Sequence, residues 1–346
     1  MVAVMIIPTG LGCAIGGHAG DATPAARLLA QACDQLIVHP NVVNASDICE
    51  LTPNMLYVEG SILDRFLEGK ASLRRIVRNR VVVVVNPPVS ALTINAVNAA
   101  RVTLGAEIDI VELKEPLVMV GSFSEDGRAV GEVSGWESLV AVVRSGECGR
   151  VDALAIHTPI DVPRKVAIDY FRDGGANGSV NPWGGVEAIA SRLIADRLDI
   201  PVAHAPLESV DPSDDDLYFI GQKEEVNPRM APEVVSTGYL HCVLKGLHTA
   251  PRVQQDHRGP GEGVYYNQIS AMVSPIGCNG RPHWACRRAG IPVVYVRENT
   301  TCLNVGPEPG DIVVENYPEA AGVLLAMKAG LHLPSVRADI GKDGEL

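Results

Sequence analysis

Arg80-Val-Val-Val-Val-Val85 is the stretch on which the fold turns. Five β-branched residues in a row favour a strand, and the lack of any polar alternation means that both faces of the strand are buried. A strand covered on both faces belongs to a parallel sheet with helices on either side. Outward from it, Val2–Ile7, Leu36–Val38, Ile108–Val111, Ala153–Ile156, Val202–Ala203, Ala271–Val273, Val293–Val296 and Ile312–Val314 read as further short strands. Amphipathic stretches lie between them at Pro24–Cys33, Ile62–Glu68, Thr93–Leu104, Trp136–Arg144, Val166–Arg172, Gly185–Asp196, Trp284–Ala289 and Glu319–Lys328. Strands alternating with helices through short turns predict an α/β fold, a largely parallel sheet flanked by helices in Rossmann-like βα units. The polar break Arg144–Gly149 sets the expected boundary between two lobes, 1–150 and 151–335, followed by a polar tail, 336–346.

Composition narrows the function classes. The chain of 346 residues holds 29 Lys and Arg against 41 Asp and Glu, a net charge of −12, with 47% hydrophobic and 20% charged residues. Such a chain buries a large core and is not disordered. Its acidic balance excludes the basic stripe of a nucleic-acid binder. No apolar run reaches the ~18–20 residues that span a bilayer, and Met1–Pro8 reads as a strand without the basic start of a secretory signal. The expectation is a cytoplasmic protein acting on a small molecule, without nucleic-acid or membrane partners, and a homodimer as chains of this class often are. The eight cysteines form no disulfide framework in that setting. Glu208–Val226 reads as a solvated acidic loop and Thr249–Tyr265 as a Pro- and Gly-rich one.

Two loops carry the chemistry. The first strand runs into Pro8-Thr-Gly-Leu-Gly-Cys-Ala-Ile-Gly-Gly-His-Ala-Gly-Asp21, and a helix follows. Strand, glycine-rich turn and helix N-terminus together favour an anion, because backbone N–H groups point outward without Cβ obstruction. Thr9, Gly10, Gly12, Gly16, Gly17 and Asp21 are therefore candidate binding residues, with Asp21 or Thr23 as the helix cap. The spacing departs from G-x-G-x-x-G, and no acidic residue ends the second strand, so a carboxylate or phosphate of a small substrate fits better than NAD. The second loop, Pro275-Ile-Gly-Cys-Asn-Gly-Arg-Pro-His-Trp-Ala-Cys286, repeats the plan: each has a Cys and, five residues on, a His, giving Cys13 with His18 and Cys278 with His283. A thiol beside imidazole at a helix start gains thiolate character, and two facing thiols act as acid and base on opposite sides of a carbon. Cys278, His283 and Cys286, with His241, Cys242 or Cys302, are also a possible zinc set, although the spacing matches no common zinc motif. Polar residues at strand ends (Asn41, Asn44, Asn54, Glu59, His204, Asn299 and Thr300) complete the candidates.

Across these motifs the chain resembles an uncharacterised family, the domain of unknown function family thirty-three twenty-six. The resemblance rests on the first glycine loop, His39-Pro-Asn-Val-Val-Asn44, Asn54-Met-Leu-Tyr-Val-Glu-Gly60, Gly184-Gly-Val-Glu187, His204-Ala-Pro206, Cys242-Val-Leu-Lys-Gly-Leu-His-Thr-Ala-Pro251, Val296-Arg-Glu-Asn-Thr300 and Asn316-Tyr-Pro-Glu-Ala-Ala-Gly322. It implies no particular activity. In the family pattern the positions of Cys13 and His18 hold a non-Cys residue and an aromatic, which favours Cys278 and Cys242 as functional thiols. The expected function is an enzyme of isomerase, lyase or hydrolase type that acts on a small, carboxylated metabolite, with Cys278 as nucleophile or acid/base and Cys13, His18, His283 and Glu59 assisting. An NAD(P)- or nucleotide-dependent enzyme, a zinc enzyme and a non-catalytic ligand sensor are the rivals.

Overall fold

A computed structural model of the chain describes residues 1–18, 20–173, 180–205, 239–254 and 263–337. The acidic stretch Glu208–Val226 and the end of the polar tail lie outside the described residues.

The chain is α/β, built on two parallel sheets. The larger has six strands in the order β15-β14-β13-β1-β2-β3: β1 is Val2–Met5, β2 Gln35–Val38, β3 Met55–Tyr57, β13 Ile269–Pro275, β14 Val293–Val296 and β15 Ile312–Val314. The smaller has four strands in the order β10-β9-β5-β6: β5 is Arg80–Val85, β6 Glu107–Glu112, β9 Ala153–Ile156 and β10 Val202–His204. The valine run behaves as its composition requires. Val82 and Val84 enter one core with Leu139 and Val186, while Val81, Val83 and Val85 enter another with Val97 and Leu244. Burying each such side chain is worth about 1.5–3 kcal/mol relative to exposure. Residue 150 falls inside this sheet: β5, before it, pairs in parallel with β9, after it. The larger sheet likewise draws β1–β3 from one end of the chain and β13–β15 from the other.

Nine helices lie among the described residues. On the larger sheet, α1 (Thr23–Gln31) and α9 (Tyr317–Lys328) cover one face, and α2 (Gly60–Leu67) and α8 (Arg281–Arg288) the other. On the smaller sheet, α4 (Trp136–Arg144) and α6 (Gly184–Leu198) cover one face, and α3 (Ala91–Leu104) and α7 (Tyr239–Thr249) the other. The remaining helix, α5 (Arg164–Asp173), precedes α6. Sequence reasoning misses α7, β3 and the antiparallel hairpin of β7 (Val118–Phe123) and β8 (Ala129–Ser134). It also takes Thr249–Tyr265 as loop throughout, where β11 (Arg252–Gln254) and β12 (Gly263–Val264) pair with β4 (Ser72–Arg74).

Helix α2 joins the two sheets. Arg192 of α6 bonds Asp64 of α2 at 3.0 and 2.9 Å, Arg65 of α2 pairs with Asp196 and Asp199, and Arg281 of α8 grips Glu68 of α2 with bonds of 2.8 and 3.0 Å. Half-buried charges held in such two-pronged pairs fix relative position more than they add net stability. The pairs of Asp64 and Arg65 cross from the larger sheet's α2 to the smaller sheet's α6, whereas the Arg281–Glu68 pair lies within the larger.

Candidate functional site

The carboxyl ends of parallel strands are where open α/β sheets receive ligands. In the larger sheet two places qualify: the switch point between β1 and β13, where the two cysteine loops meet, and the ends of β2 and β3.

At the switch point the loops pack against each other and bond each other's backbone, although residues of both also wall the cavity that opens beyond them. Three consecutive N–H groups of the glycine loop are already taken by the protein: Ala14 N–H donates to Thr300 O at 3.0 Å, Ile15 N–H to Asn299 Oδ1 at 2.9 Å and Gly16 N–H to Asp21 Oδ1 at 2.8 Å. The Asp21 carboxylate serves as the loop's internal anion and does not cap α1, whose capping residue is Ala22 with no side-chain bond. Gly16 has φ +86°, and a Cβ there would lie 2.3 Å from Ile7 Cδ1. Gly10 accepts from Ala129 N at 2.8 Å, and a Cβ on Gly185 would lie 2.1 Å from Ala129 O. These glycines therefore permit close backbone packing between β1, β8 and α6.

The Cys13 and Cys278 thiols do come together there. Both are buried, and the hydrogen bond that the Cys13 thiol shares with Cys278, followed by burial, holds its proton on well above the usual value. This is the reverse of the stabilised thiolate that the sequence suggested. His283 does not assist either thiol. Gly280 N–H donates to its Nδ1 at 3.1 Å, which leaves the ring proton on Nε2, 2.9 Å from Ser274 Oγ. Both ring nitrogens are thus engaged in fixing the turn before α8, and burial pushes the imidazole down to about 4. Asn299 is fully buried, clamping Ile15 through both amide atoms and bonding Tyr317 Oη at 2.7 Å. Thr300 is exposed, and Asn54 bonds Ala30 O at 2.7 Å at the end of α1. Cys286 bonds Met272 Sδ at 3.6 Å, and no group of three metal-type ligands converges among the described residues.

The second place is open. A cavity of about 720 Å3 lies between the sheets, within the usual range for small-molecule sites. Its walls take His39 from the end of β2, Tyr57 and Glu59 from the end of β3, His204 from β10, Glu187 from α6 and Cys242 from α7. Thr9, Gly10, Gly12, Cys13, Gly16, Gly17, His18, Asn41, Asn44 and His283 also reach it, whereas Cys278, Asn54, Asn299 and Thr300 do not. Trp183 and Phe171 give it an aromatic side, continued by Tyr170, whose hydroxyl meets His18 Nδ1 at 3.1 Å.

Glu59 dominates the electrostatics. It is 3% exposed, and burial pushes its carboxyl up to about 8, opposed only in part by the hydrogen bond from the Tyr57 hydroxyl. Tyr57 is buried and stays a phenol. Its ring is packed on α7 at Gly246, where a Cβ would come within 2.9 Å of it. Glu59 occupies the capping position of α2 without capping the helix through its side chain. His39 is a second buried imidazole, but it differs from His283. Ile7 N–H donates to its Nε2 at 2.9 Å, placing the ring proton on Nδ1, and burial pushes it down to about 4. Across the cavity His204 Nδ1 lies 3.6 Å from Glu187 Oε1, beyond hydrogen-bond reach, and has no bonding partner among the described residues. Of these groups, sequence reasoning selects Glu59 and His204 and passes over His39, Tyr57 and Glu187. The only signal for His39 is its place at a strand's carboxyl end.

The chain belongs to the family described as Protein of unknown function (DUF3326), whose model matches residues 2–337. It is 33% identical over 344 residues to an uncharacterised lipoprotein of Synechococcus sp., covering 96% of this chain and 92% of that protein. That relative overturns the expectation of a cytoplasmic protein, since it is named a lipoprotein. No helix among the described residues is long and apolar enough to cross a membrane. No solved structure matches the chain.

Proposed function

We propose that this protein is an enzyme of isomerase, lyase or hydrolase type that moves a proton on a small polar metabolite held between the two sheets, with Glu59 as the acid/base group. The observation that carries this reading is a buried carboxyl, raised to about 8, on the wall of a 720 Å3 cavity. Catalytic acids and bases work best with values near the working pH, and burial is the usual means of tuning a carboxyl upward. At pH 7 such a group is ionised in about one molecule in ten, so it both accepts and returns a proton readily. The Tyr57 hydroxyl holds it in place and stabilises the carboxylate when it forms. The same reading with Cys278 as the reactive group has less support, because Cys278 is buried away from the cavity. The lipoprotein name of the Synechococcus relative supports a membrane-attached setting for this chain.

The test is a proton-exchange screen. The protein is incubated in deuterium oxide with hydroxy, oxo and unsaturated small acids, and loss of C–H signals or appearance of product is followed by NMR. A hit that Glu59→Gln reduces at least about a hundredfold supports the reading. A hit that Glu59→Gln leaves intact and Cys278→Ala abolishes returns the role to the thiol.

A further inference from the structure

We infer that the start of α2 and His39 together form a subsite for one anionic group of the ligand, a carboxylate or a phosphate. The inference rests on the reading of Glu59 as the acid/base group and adds which part of the ligand is held beside it.

The donors are left over by the fold. Ile62 N–H and Leu63 N–H both bond Glu59 O, at 3.0 and 2.9 Å, so the first turn closes on the capping residue's carbonyl. Gly60 N–H and Ser61 N–H find no acceptor among the described residues, and both residues line the cavity. The Glu59 side chain, which a capping residue ordinarily turns back onto these groups, does not cap them. Unsatisfied N–H groups at a helix start carry a partial positive charge and take an anion without further provision.

The independent observation is His39. It is only 9% exposed, and the bond from Ile7 N–H commits Nε2 as an acceptor. The proton on Nδ1 has no protein partner among the described residues and is left to whatever occupies the cavity that the ring lines. This nitrogen lies 3.9 Å from the point where a Cβ on Gly60 would stand, and nothing else approaches that point within 4 Å. A neutral imidazole N–H and two backbone N–H groups thus border one space that glycine leaves unfilled. The glycine loop, which the sequence offers as the anion holder, has three of its N–H groups occupied by protein oxygens; the start of α2 has its donors unpaired.

The experiment follows the amide proton resonances of Gly60 and Ser61 while acetate, and separately inorganic phosphate, is added at constant ionic strength with chloride as control. Both resonances are expected to move downfield and saturate, and the anion with the lower half-saturation decides between carboxylate and phosphate. Because His39→Ala strips Ile7 N–H of its acceptor and risks the fold, the decisive variant is Gly60→Val, which fills the space from a helical position. It should weaken binding about tenfold or more while leaving the melting temperature near wild type. Glu59→Gln should keep the binding. Failure of the acid/base reading leaves these shifts untouched and appears only in the proton-exchange screen. The inference is overturned if neither anion moves the two resonances, or if Gly60→Val responds as wild type does.

Discussion

His283 and His39 are both buried imidazoles at the carboxyl edge of the same sheet, each accepting a hydrogen bond from a backbone N–H and each pushed down to about 4. They differ in the second nitrogen. Both rings line the cavity, but in His283 that nitrogen is spent on Ser274, whereas in His39 it has no partner among the described residues. The turns that carry them differ in the same way. The cysteine loops close on themselves through Asn299, Asp21 and His283, while the ends of β2 and β3 leave a carboxyl, an imidazole N–H and two helix N–H groups facing open space. The lesson is that a conspicuous motif marks a demanding piece of packing as readily as it marks chemistry. Unspent hydrogen-bonding capacity on a cavity wall is the better guide.

The largest effect that sharpens this contrast is in stability against pH. Glu59 holds its proton to about 8 in the folded protein and loses it near 4.5 in the unfolded chain. Between those values the folded state binds more protons, so stability falls as pH rises. The full interval is worth roughly 4–5 kcal/mol, of which roughly 2 kcal/mol falls above pH 6.5; the buried imidazoles, still partly protonated there when unfolded, act in the opposite sense, so the Glu59 share is the difference between wild type and Glu59→Gln. Between pH 6.5 and 8.5 the stability read from urea unfolding should fall by that amount more in wild type than in Glu59→Gln; an equal change in both would remove Glu59 from the account.

Next in size is His283→Ala. It strips Gly280 N–H and Ser274 of their partner and empties space beside Tyr295, on which the ring stacks, for a cost of about 3 kcal/mol. Above about pH 7.5, where the unfolded imidazole is also neutral, that cost should not vary with pH, and acetate or phosphate binding should persist. Asn299→Ala should cost about 2 kcal/mol by urea denaturation, since it frees both polar groups of Ile15 and the Tyr317 hydroxyl. The smallest effect belongs to Cys278→Ser, expected to change stability by under about 1 kcal/mol and to leave the Glu59 titration and anion binding unchanged. Fast alkylation of Cys278 in native protein at pH 7 would instead restore a reactive thiol.

Much of the fold was legible because it depends on local pattern. The valine run, the short β-branched strands and the helices between them each announce their own burial, and nine strands and eight helices read from sequence are found near their expected places. What failed was short or mixed. Met55-Leu-Tyr57 is a three-residue strand among polar neighbours, and α7 interleaves His241, Lys245 and Gly246 with its apolar face. At the site, the meeting of Cys13 and Cys278 was foreseen, because two βα loops at one switch point must approach. Its chemistry was not, because burial and mutual hydrogen bonding act opposite to what a Cys–His spacing suggests. Glu59 was chosen as a polar group among apolar ones in a motif of the resembling family, but its raised carboxyl and the cavity beside it depend on β3 and β10 meeting across two sheets. The pairs that cross it, Asp64 with Arg192 and Arg65 with Asp196, join residues far apart in the chain, which no local pattern encodes.

The most direct test of the central claim is the titration of Glu59 itself, read from the side-chain carboxyl carbon by 13C NMR, with Glu59→Gln to assign the resonance. The account predicts a midpoint near 8. A midpoint at the ordinary carboxyl value near 4.5 would contradict it and leave the cavity without its acid/base group.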